Sequence, residues 1–217
     1  MNRNITQNLS NTKSQLRERF LGIRKELTGA EVWKKSEIIG QKLLNIPEVA
    51  AARSISAYLP IKNEVTTKSI IDALVARGAN VYLPTYDKPL LSSSRKRGSD
   101  FGYVFSRFND WEDLVPGPHG ILQPSLPRHH ESLIRHPELD SGSLDVAIVP
   151  GLAFDKKGVR LGYGEGVFDK LLSDSPALKI GLAYDFQIVK SLPFEKHDLK
   201  IDIIVTEENI KRVNFKP

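Results

Sequence analysis

The stretch 144-LDVAIVP-150 is almost wholly apolar and is closed by a proline. A short run of this kind is typical of a strand that is buried on both faces of a parallel sheet. Two further runs, LKIGLAY at 178–184 and DIIVT at 202–206, predict strands later in the chain. Helical patterns alternate with these strands, so the sequence predicts an α/β fold with a mostly parallel sheet.

The N-terminal part of the chain shows the same alternation. Apolar residues recur at helical spacing over 12–27, which predicts an amphipathic helix. Thr28 and Glu31 form a capping-box pattern, which predicts a second helix from near Ala30 to just before Pro47. The remaining elements predicted in this part are a strand over 53–59, a helix over 66–77 and a short strand over 80–83.

Two stretches without periodicity, 87–100 and 125–143, are predicted to be flexible loops. The second contains three histidines, His129, His130 and His136. Histidine binds metals readily, but no regular element fixes these side chains, so a polar loop is favoured over a metal site. The length of 217 residues predicts one domain that spans 1–217.

The composition excludes several classes of protein. Cysteine is absent, which excludes disulfides, thiolate metal sites and a cysteine nucleophile, and which fits a reducing cytoplasm. No apolar run approaches the length of a membrane span, and the N-terminal segment lacks the apolar core of a signal peptide. We therefore expect a cytoplasmic protein without a membrane partner.

The net charge of +5 raises the question of an anionic partner. The densest basic cluster, Arg95–Arg97, has neighbours typical of a turn and no interleaved aromatic residues. A solvated loop is therefore favoured there over a nucleic-acid site. An anionic small molecule explains the positive charge equally well.

The clearest candidate site is the glycine-rich stretch 160-RLGYGEGVFDKLL-172. Its glycines at 162, 164 and 166 leave backbone N–H groups uncovered ahead of a predicted helix over 167–172, an arrangement that suits an anion. Arg160 adds a fork for phosphate oxygens, and Asp169 could face a cation such as Mg²⁺. The spacing matches neither the dinucleotide fingerprint nor a Walker loop. A structural turn with Asp169 as a helix cap remains the alternative.

The first predicted helix carries a basic stripe beside its apolar one. Lys13, Arg17 and Arg24 stand at i, i+4 and i+11. Lys13 and Arg17 are one turn apart, so both could reach one polyphosphate. From this segment alone, a plain solvated stripe is the favoured interpretation.

The chain resembles the 5-formyltetrahydrofolate cyclo-ligases, also called methenyltetrahydrofolate synthetases. The stretch 149-VPGLAFDKKGVRLGYGEGVFDKLL-172 is similar to the signature of that family. KSQLR at 13–17, YLPIKNEVTT at 58–67 and the segment 187–207, with LPFEKHDLKIDIIVTE, resemble further family motifs in the same order. The resemblance covers nearly the whole chain except the two predicted loops.

This resemblance implies a three-layer α/β/α Rossmann-like sandwich and an enzyme that binds ATP and 5-formyltetrahydrofolate. The implied reaction is the ATP- and Mg²⁺-dependent closure of 5-formyltetrahydrofolate to 5,10-methenyltetrahydrofolate, with release of ADP and phosphate. We expect a monomer, without a nucleic-acid partner.

The resemblance also implies roles for individual residues. The implied catalytic cations are Lys13, Arg17 and Arg160. ATP would be bound by these three residues and by the loop residues Leu161, Gly162, Tyr163, Gly164, Glu165, Gly166, Val167 and Phe168. The folate would be bound by Leu59, Glu64, Tyr163, Gly164, Gly166 and Val167. Magnesium would be bound by Asp169 and Asp198.

Some positions depart from the family pattern or allow a second interpretation. Val167 and Phe168 stand where the family has two tyrosines, and Glu165 places a carboxylate in a phosphate loop, where it should point outward or lower ATP affinity. These departures leave a non-catalytic folate-binding relative as the alternative function. Without the resemblance, Glu64 would be read as a surface carboxylate. Asp155 is expected to shape a turn.

Overall fold

The structure, a computed structural model, describes residues 2–86, 102–125, 133–134 and 144–213. Its α-helices in these ranges are α1 (Asn2–Lys25), α2 (Gly29–Leu44), α3 (Pro47–Ala51), α4 (Lys68–Ala76) and α5 (Val167–Leu171). Its strands are β1 (Ser54–Ser56), β2 (Asn80–Tyr86), β3 (Tyr103–Arg107), β4 (Leu114–Pro116), β5 (Leu122–Pro124), β6 (Leu133–Ile134), β7 (Val146–Val149), β8 (Ala153–Asp155), β9 (Arg160–Leu161), β10 (Leu178–Leu182), β11 (Ile188–Val189), β12 (Ile203–Val205) and β13 (Ile210–Arg212).

Eight of these strands form one sheet in the order β13-β12-β10-β7-β1-β2-β3-β6. The five strands from β12 to β2 run parallel to one another. The strands β13, β3 and β6 add antiparallel pairings at the two edges. The predicted α/β fold with a mostly parallel sheet is confirmed.

The order of the strands places the turning point of the chain between β1 and β7. From β1 the chain passes through α4 to β2 on one side, whereas from β7 it passes through α5 to β10 on the other side. Because such crossovers are right-handed, the two opposite directions put α4 and α5 on opposite faces of the sheet. This is the predicted three-layer α/β/α sandwich, in which ligands bind beside the carboxyl ends of the strands at the turning point.

Strand β7 comes from the apolar stretch 144–150 and lies at the centre of the sheet. All four of its residues are buried, and it pairs with β1 on one side and β10 on the other. Its side chains belong to the main hydrophobic core, together with those of α2 and α4. Burial on both faces explains why the run shows no polar alternation.

The capping box predicted at Thr28 and Glu31 is present. The Thr28 hydroxyl accepts the Glu31 N–H at 3.3 Å, and the Glu31 carboxylate accepts the Thr28 N–H at 2.9 Å. Helix α2 therefore begins at Gly29, next to the predicted start. Helix α1 begins ten residues before its predicted start, because the apolar pattern that marks it in the sequence begins only at Leu16.

Two strand predictions are wrong in length. The strand predicted over 53–59 is confined to Ser54–Ser56, and the strand predicted to end before Pro84 continues to Tyr86. The last two residues of β2 pair with Val104 and Tyr103 of β3. This partner is distant in sequence, and no local pattern indicates it.

The predicted loop regions lie mostly outside the described residues. This applies to all of 87–100, including the basic cluster Arg95–Arg97, and to the three histidines of 125–143. Leu133–Ile134, inside the second predicted loop, forms strand β6 against β3, so the loop prediction is wrong at that point. In the described part of the chain, no helix has the length and apolar character that a membrane crossing requires.

A small three-stranded sheet, β11-β8-β9, carries Arg160. In this sheet Phe154 of β8 pairs with Arg160 of β9. An apolar cluster of Leu152, Ala153, Val159 and Leu161 packs there against Phe20 of α1. This packing holds the cationic face of α1 against the glycine-rich stretch.

Candidate active site

A cleft of about 1100 Å³ lies between α1, the glycine-rich loop and the segment 195–202. Ten of the predicted site residues line it: Lys13, Arg17, Arg160, Leu161, Gly162, Gly164, Glu165, Gly166, Asp169 and Asp198. These residues come from three separate parts of the sequence, and the fold brings them together.

Five other predicted site residues do not line this cleft. Phe168 is buried in the main core, and Val167 and Leu59 pack against that core. Glu64 and Tyr163 lie in a second, buried cluster described below. The side chains of Val167 and Phe168 do not reach the cleft, because the first turn of α5 directs both toward the core.

The glycines of the loop are required by the close approach of two arginines. A side chain at Gly162 would place its Cβ 2.8 Å from the Arg160 guanidinium, and one at Gly164 would lie 3.3 Å from that of Arg17. Gly164 and Gly166 also have left-handed backbones, with φ of 110° and 67°. Gly166 is the N-cap of α5 without a side-chain hydrogen bond. The glycines thus admit cations to the backbone, which a side chain would prevent.

Arg160 and Asp169 form a direct ion pair in the cleft. Arg160 Nη2 donates to Asp169 Oδ2 at 2.6 Å, and Nη1 donates to the Pro150 carbonyl at 3.2 Å. The other carboxylate oxygen of Asp169 accepts the Leu199 N–H at 2.8 Å. Burial raises the pKa of Asp169, but the Arg160 charge and these hydrogen bonds outweigh it and leave the pKa below its ordinary value. Asp169 is therefore not the helix cap that the alternative interpretation required.

Lys13 bridges two carboxylates of the segment opposite α1. Its Nζ lies 2.6 Å from Glu195 Oε2 and 2.7 Å from Asp198 Oδ2. Burial lowers the pKa of Lys13, but the hydrogen bonds and charges of Asp198 and Glu195 raise it above its ordinary value. Arg17, one turn further on, donates its Nε–H to the Gly162 carbonyl at 3.0 Å. We call these six residues, Lys13, Arg17, Arg160, Asp169, Glu195 and Asp198, the cationic cluster.

The solvated-stripe interpretation of α1 is wrong. Lys13 is 7% exposed and Arg24 is 1% exposed, so both side chains are buried. Their helical spacing of eleven residues puts them on the same side of α1.

A second group, Arg24, Glu64 and Tyr163, forms what we call the buried cluster. Glu64 is 4% exposed, which shows that its reading as a surface carboxylate is wrong. Its Oε2 accepts the Ile61 N–H at 3.0 Å, and its Oε1 lies 3.8 Å from Arg24 Nη1. Arg24 Nη2 donates to the Tyr163 hydroxyl. Burial raises the pKa of Glu64, while the charge of Arg24 opposes that rise.

The turn that carries Glu64 has an unusual backbone. Lys62 and Asn63 both have left-handed conformations, with φ of 47° and 58°. The Asn63 side chain donates to the carbonyls of Arg24 and Leu27 at the end of α1. A strained turn of this kind persists only when its surroundings fix it, and here the end of α1 fixes it.

Oxygen ligands suitable for Mg²⁺ are present in the cleft. Carboxylate oxygens are what Mg²⁺ prefers, and Asp169 and Asp198 supply them. In the described residues, one group of three donors has ligand atoms within 4.8 Å of one another: Glu195, His197 and Asp198. Asp198 belongs to this group and Asp169 does not, so the predicted pair is not a ready-made site. Each predicted ligand is paired with a cation of the cationic cluster.

The model of the 5-formyltetrahydrofolate cyclo-ligase family matches residues 9–207. The chain belongs to this family. The expected resemblance is thereby confirmed, and so is the expectation that the protein is an enzyme of the ligase class.

Relatives of this family align over almost their whole length. The 5-formyltetrahydrofolate cyclo-ligase of Haemophilus influenzae is 30% identical over 200 residues, which cover 89% of this chain and 97% of that relative. The enzyme of the same name from Saccharomyces cerevisiae is 32% identical over 209 residues, with 89% and 94% covered. The structure of 5,10-methenyltetrahydrofolate synthetase from Aquifex aeolicus superposes with a TM-score of 0.74 at 29% identity, covering 94% of each chain.

Sequence reasoning missed one residue in each of the two clusters, Arg24 and Glu195. Arg24 appeared only as part of a stripe, although its spacing from Lys13 placed it on the same helix face. Glu195 gave no signal, because its partner Lys13 lies 182 residues away. Glu165 is exposed and lines the cleft.

Proposed function

We propose that this protein uses ATP and Mg²⁺ to close 5-formyltetrahydrofolate to 5,10-methenyltetrahydrofolate, with release of ADP and phosphate. The observation that carries the proposal is the convergence of Lys13, Arg17 and Arg160 on one glycine-lined cleft. Membership of the cyclo-ligase family supports the folate substrate and does not favour the non-catalytic alternative. The proposal takes the enzyme as a cytoplasmic monomer, which cell fractionation and gel filtration would check.

The cationic cluster is proposed to bind the polyphosphate of ATP. Phosphoryl transfer depends mainly on positioning and charge neutralisation, so three convergent cations are the appropriate machinery. Arg17 is already held against the loop backbone by its bond to Gly162. Glycines at 162 and 164 let the guanidinium groups of Arg160 and Arg17 approach the loop backbone, so that these cations and the backbone N–H groups could bind the same phosphate.

Asp169 and Asp198 are proposed to hold Mg²⁺ when ATP is bound. The metal would neutralise charge on the transferred phosphoryl group. Each carboxylate would then exchange its present partner, Arg160 or Lys13, for the metal. The cations released in this way, Arg160 and Lys13, are among those proposed to bind phosphate. The same exchange of partners would therefore free carboxylates for Mg²⁺ and cations for ATP.

The chemical step is proposed to proceed through a phosphorylated formyl group. The formyl oxygen of 5-formyltetrahydrofolate attacks the γ-phosphorus, and ADP leaves. N10 of the same folate then attacks the activated formyl carbon, loses its proton, and the carbon–oxygen bond breaks as phosphate departs. Holding the folate at Leu59, Glu64 and Tyr163 would make this ring closure effectively unimolecular.

The experiment is the near-ultraviolet absorbance of methenyltetrahydrofolate in a mixture of purified protein, 5-formyltetrahydrofolate, ATP and Mg²⁺. We expect a rise that requires both ATP and Mg²⁺. No rise from a folded protein that still binds the folate would instead favour the non-catalytic folate-binding relative.

A further inference from the structure

Arg24 is the largest side chain that is fully buried in the described part of the chain. A guanidinium keeps its charge under all ordinary conditions, and burying a charge is costly unless partners compensate it. The contacts that compensate the buried charge of Arg24 therefore indicate the role of this side chain. It stands in the last turn of α1, eleven residues after Lys13.

These partners come from three segments that are distant in sequence. Arg24 Nε donates to the Lys62 carbonyl at 2.7 Å, in the strained turn after β1. Nη1 reaches the Gly151 carbonyl at 3.4 Å, after β7, and Nη2 donates to the Tyr163 hydroxyl in the glycine-rich loop. One side chain thus joins the two strands at the turning point of the sheet to the loop.

The fourth partner, Glu64, is contacted by charge alone. Its Oε1 lies 3.8 Å from Arg24 Nη1, which is too long for a hydrogen bond, and no group of the described residues stands in hydrogen-bond geometry to this oxygen. The nearby Tyr163 side chain also lowers the pKa of Glu64. Arg24 therefore supplies a countercharge while it leaves this oxygen able to accept a hydrogen bond from a ligand.

The other charged and titratable groups around Glu64 do not replace Arg24. They are Arg160 from β9, Tyr163 from the loop, Tyr58 from the segment after β1 and Tyr184 from the segment after β10. Burial raises the pKa of all three tyrosines, so they are neutral at physiological pH. Arg160 lowers the pKa of Glu64 less than Arg24 does. Among these groups, Arg24 is thus the cation that most opposes the rise in the pKa of Glu64.

We propose that Arg24 is a positioning residue for the folate: it fixes Tyr163 and the turn of Glu64, and it keeps the Glu64 carboxylate charged and free to accept hydrogen bonds from substrate N–H groups. This inference rests on the proposed function, because it assumes that Glu64 contacts the folate. It adds a residue that does not itself touch the substrate.

The test measures binding of 5-formyltetrahydrofolate without ATP, by calorimetry over a range of pH, for the wild type, Arg24→Met and Arg24→Lys. Wild-type binding should weaken as Glu64 becomes protonated at low pH. Without the cation the pKa of Glu64 rises, so in Arg24→Met the midpoint of this loss should move up by about one to three pH units. Lysine keeps the positive charge but lacks the planar fork of arginine. In Arg24→Lys the pH midpoint should therefore return most of the way to the wild-type value, while the folate affinity stays about tenfold below that of the wild type.

Arg77→Met is the matched control. Arg77 also donates to three backbone carbonyls, those of Val49, Ala50 and Ala52, but it lies outside the cleft. Its loss should lower stability and leave both the folate affinity and the pH midpoint unchanged.

Two results would overturn the inference. One is an Arg24→Met protein, folded by circular dichroism, that keeps the wild-type midpoint, whether or not its affinity falls. The second result applies if Arg24→Met does not fold, and it comes from Arg24→Lys. An Arg24→Lys protein that binds the folate with wild-type affinity would overturn the inference. Wild-type protein that fails to bind the folate would instead overturn the proposed function, so the two failures are distinguishable.

Discussion

The cationic cluster and the buried cluster both pair arginine or lysine with a carboxylate, but they do so in different ways. In the cationic cluster the pairs are direct, at 2.6 and 2.7 Å, and they line an open cleft. In the buried cluster Arg24 and Glu64 are 1% and 4% exposed and stand 3.8 Å apart. A pair that lines an open cleft can exchange its partners for charged groups of a ligand, whereas separating a buried pair carries a large desolvation cost. The first arrangement suits a ligand that brings its own charges, and the second suits a fixed template.

The largest expected effect is that of Arg160→Gln, which removes the cation between the loop and Asp169. We expect kcat/KM for ATP to fall about 100-fold, as when one stabilising donor of a transition state is removed. The affinity for the folate should change by less than about threefold if the two clusters are independent. Arg212→Gln is the control, because Arg212 pairs with Glu48 on the surface away from the cleft. Equal losses for both substrates would show that the clusters act as one.

A smaller effect is expected for Lys13→Met. This change removes one charged contact to ATP, worth about tenfold in kcat/KM for ATP. It also leaves Glu195 and Asp198 without their shared cation, so a higher Mg²⁺ concentration should restore part of the activity. Steady-state kinetics at several Mg²⁺ concentrations would check this, with Lys34→Met, on the exposed side of α2, as control. ATP kinetics equal to those of the wild type would contradict the role of Lys13.

The pH dependence of stability should reveal the Asp169 pair. The pKa of Asp169 is lowered in the folded protein, so its stabilisation is present above its unfolded pKa and is lost as the pH falls through the folded pKa. Asp169→Asn should therefore cost on the order of 1 kcal/mol at neutral pH, and the cost should shrink toward zero in acid. Urea unfolding of both proteins at a series of pH values measures this. Asp174→Asn, an exposed carboxylate, should show no such trend, and a constant cost for Asp169→Asn would contradict the prediction.

The smallest effect is expected for Glu48→Gln. The hydrogen bond from Arg212 lowers the pKa of Glu48 to about 2, yet both side chains lie in water on the surface. Solvent and salt screen such pairs, so the urea midpoint at neutral pH should equal that of the wild type within error. A clear loss of stability would show that ion pairing alone, without burial, is enough to matter in this fold.

Much of the frame and part of the site could be predicted from local pattern. The apolar run 144–150, the capping box at Thr28 and the glycine-rich loop each indicated an element that the structure contains. Asp155 was expected to shape a turn, and its carboxylate accepts the N–H groups of Lys157 and Val159. In these cases the cause and the effect lie within a few residues of each other.

The rest could not be predicted because it depends on partners that are distant in the chain. Arg24 reaches Gly151 across 127 residues, and Lys13 reaches Glu195 across 182. The continuation of β2 beyond Pro84 depends on β3 in the same way. Periodicity showed that α1 has a basic side, but only the fold shows that Lys13 and Arg24 on that side are buried.

Helix α1 has a mechanical consequence for both clusters. Lys13 and Arg24 are eleven residues apart on one continuous helix, which corresponds to about 17 Å along its axis. The helix therefore acts as a rigid spacer of fixed length between the two clusters. Inserting a single residue between Arg17 and Arg24 would rotate Arg24 by about 100° about the helix axis relative to Lys13 and Arg17. Lys13 and Arg24 could then not face the rest of the protein at the same time. The distance between the two clusters is thus set by the number of residues in a helix, not by a loop that could adjust it.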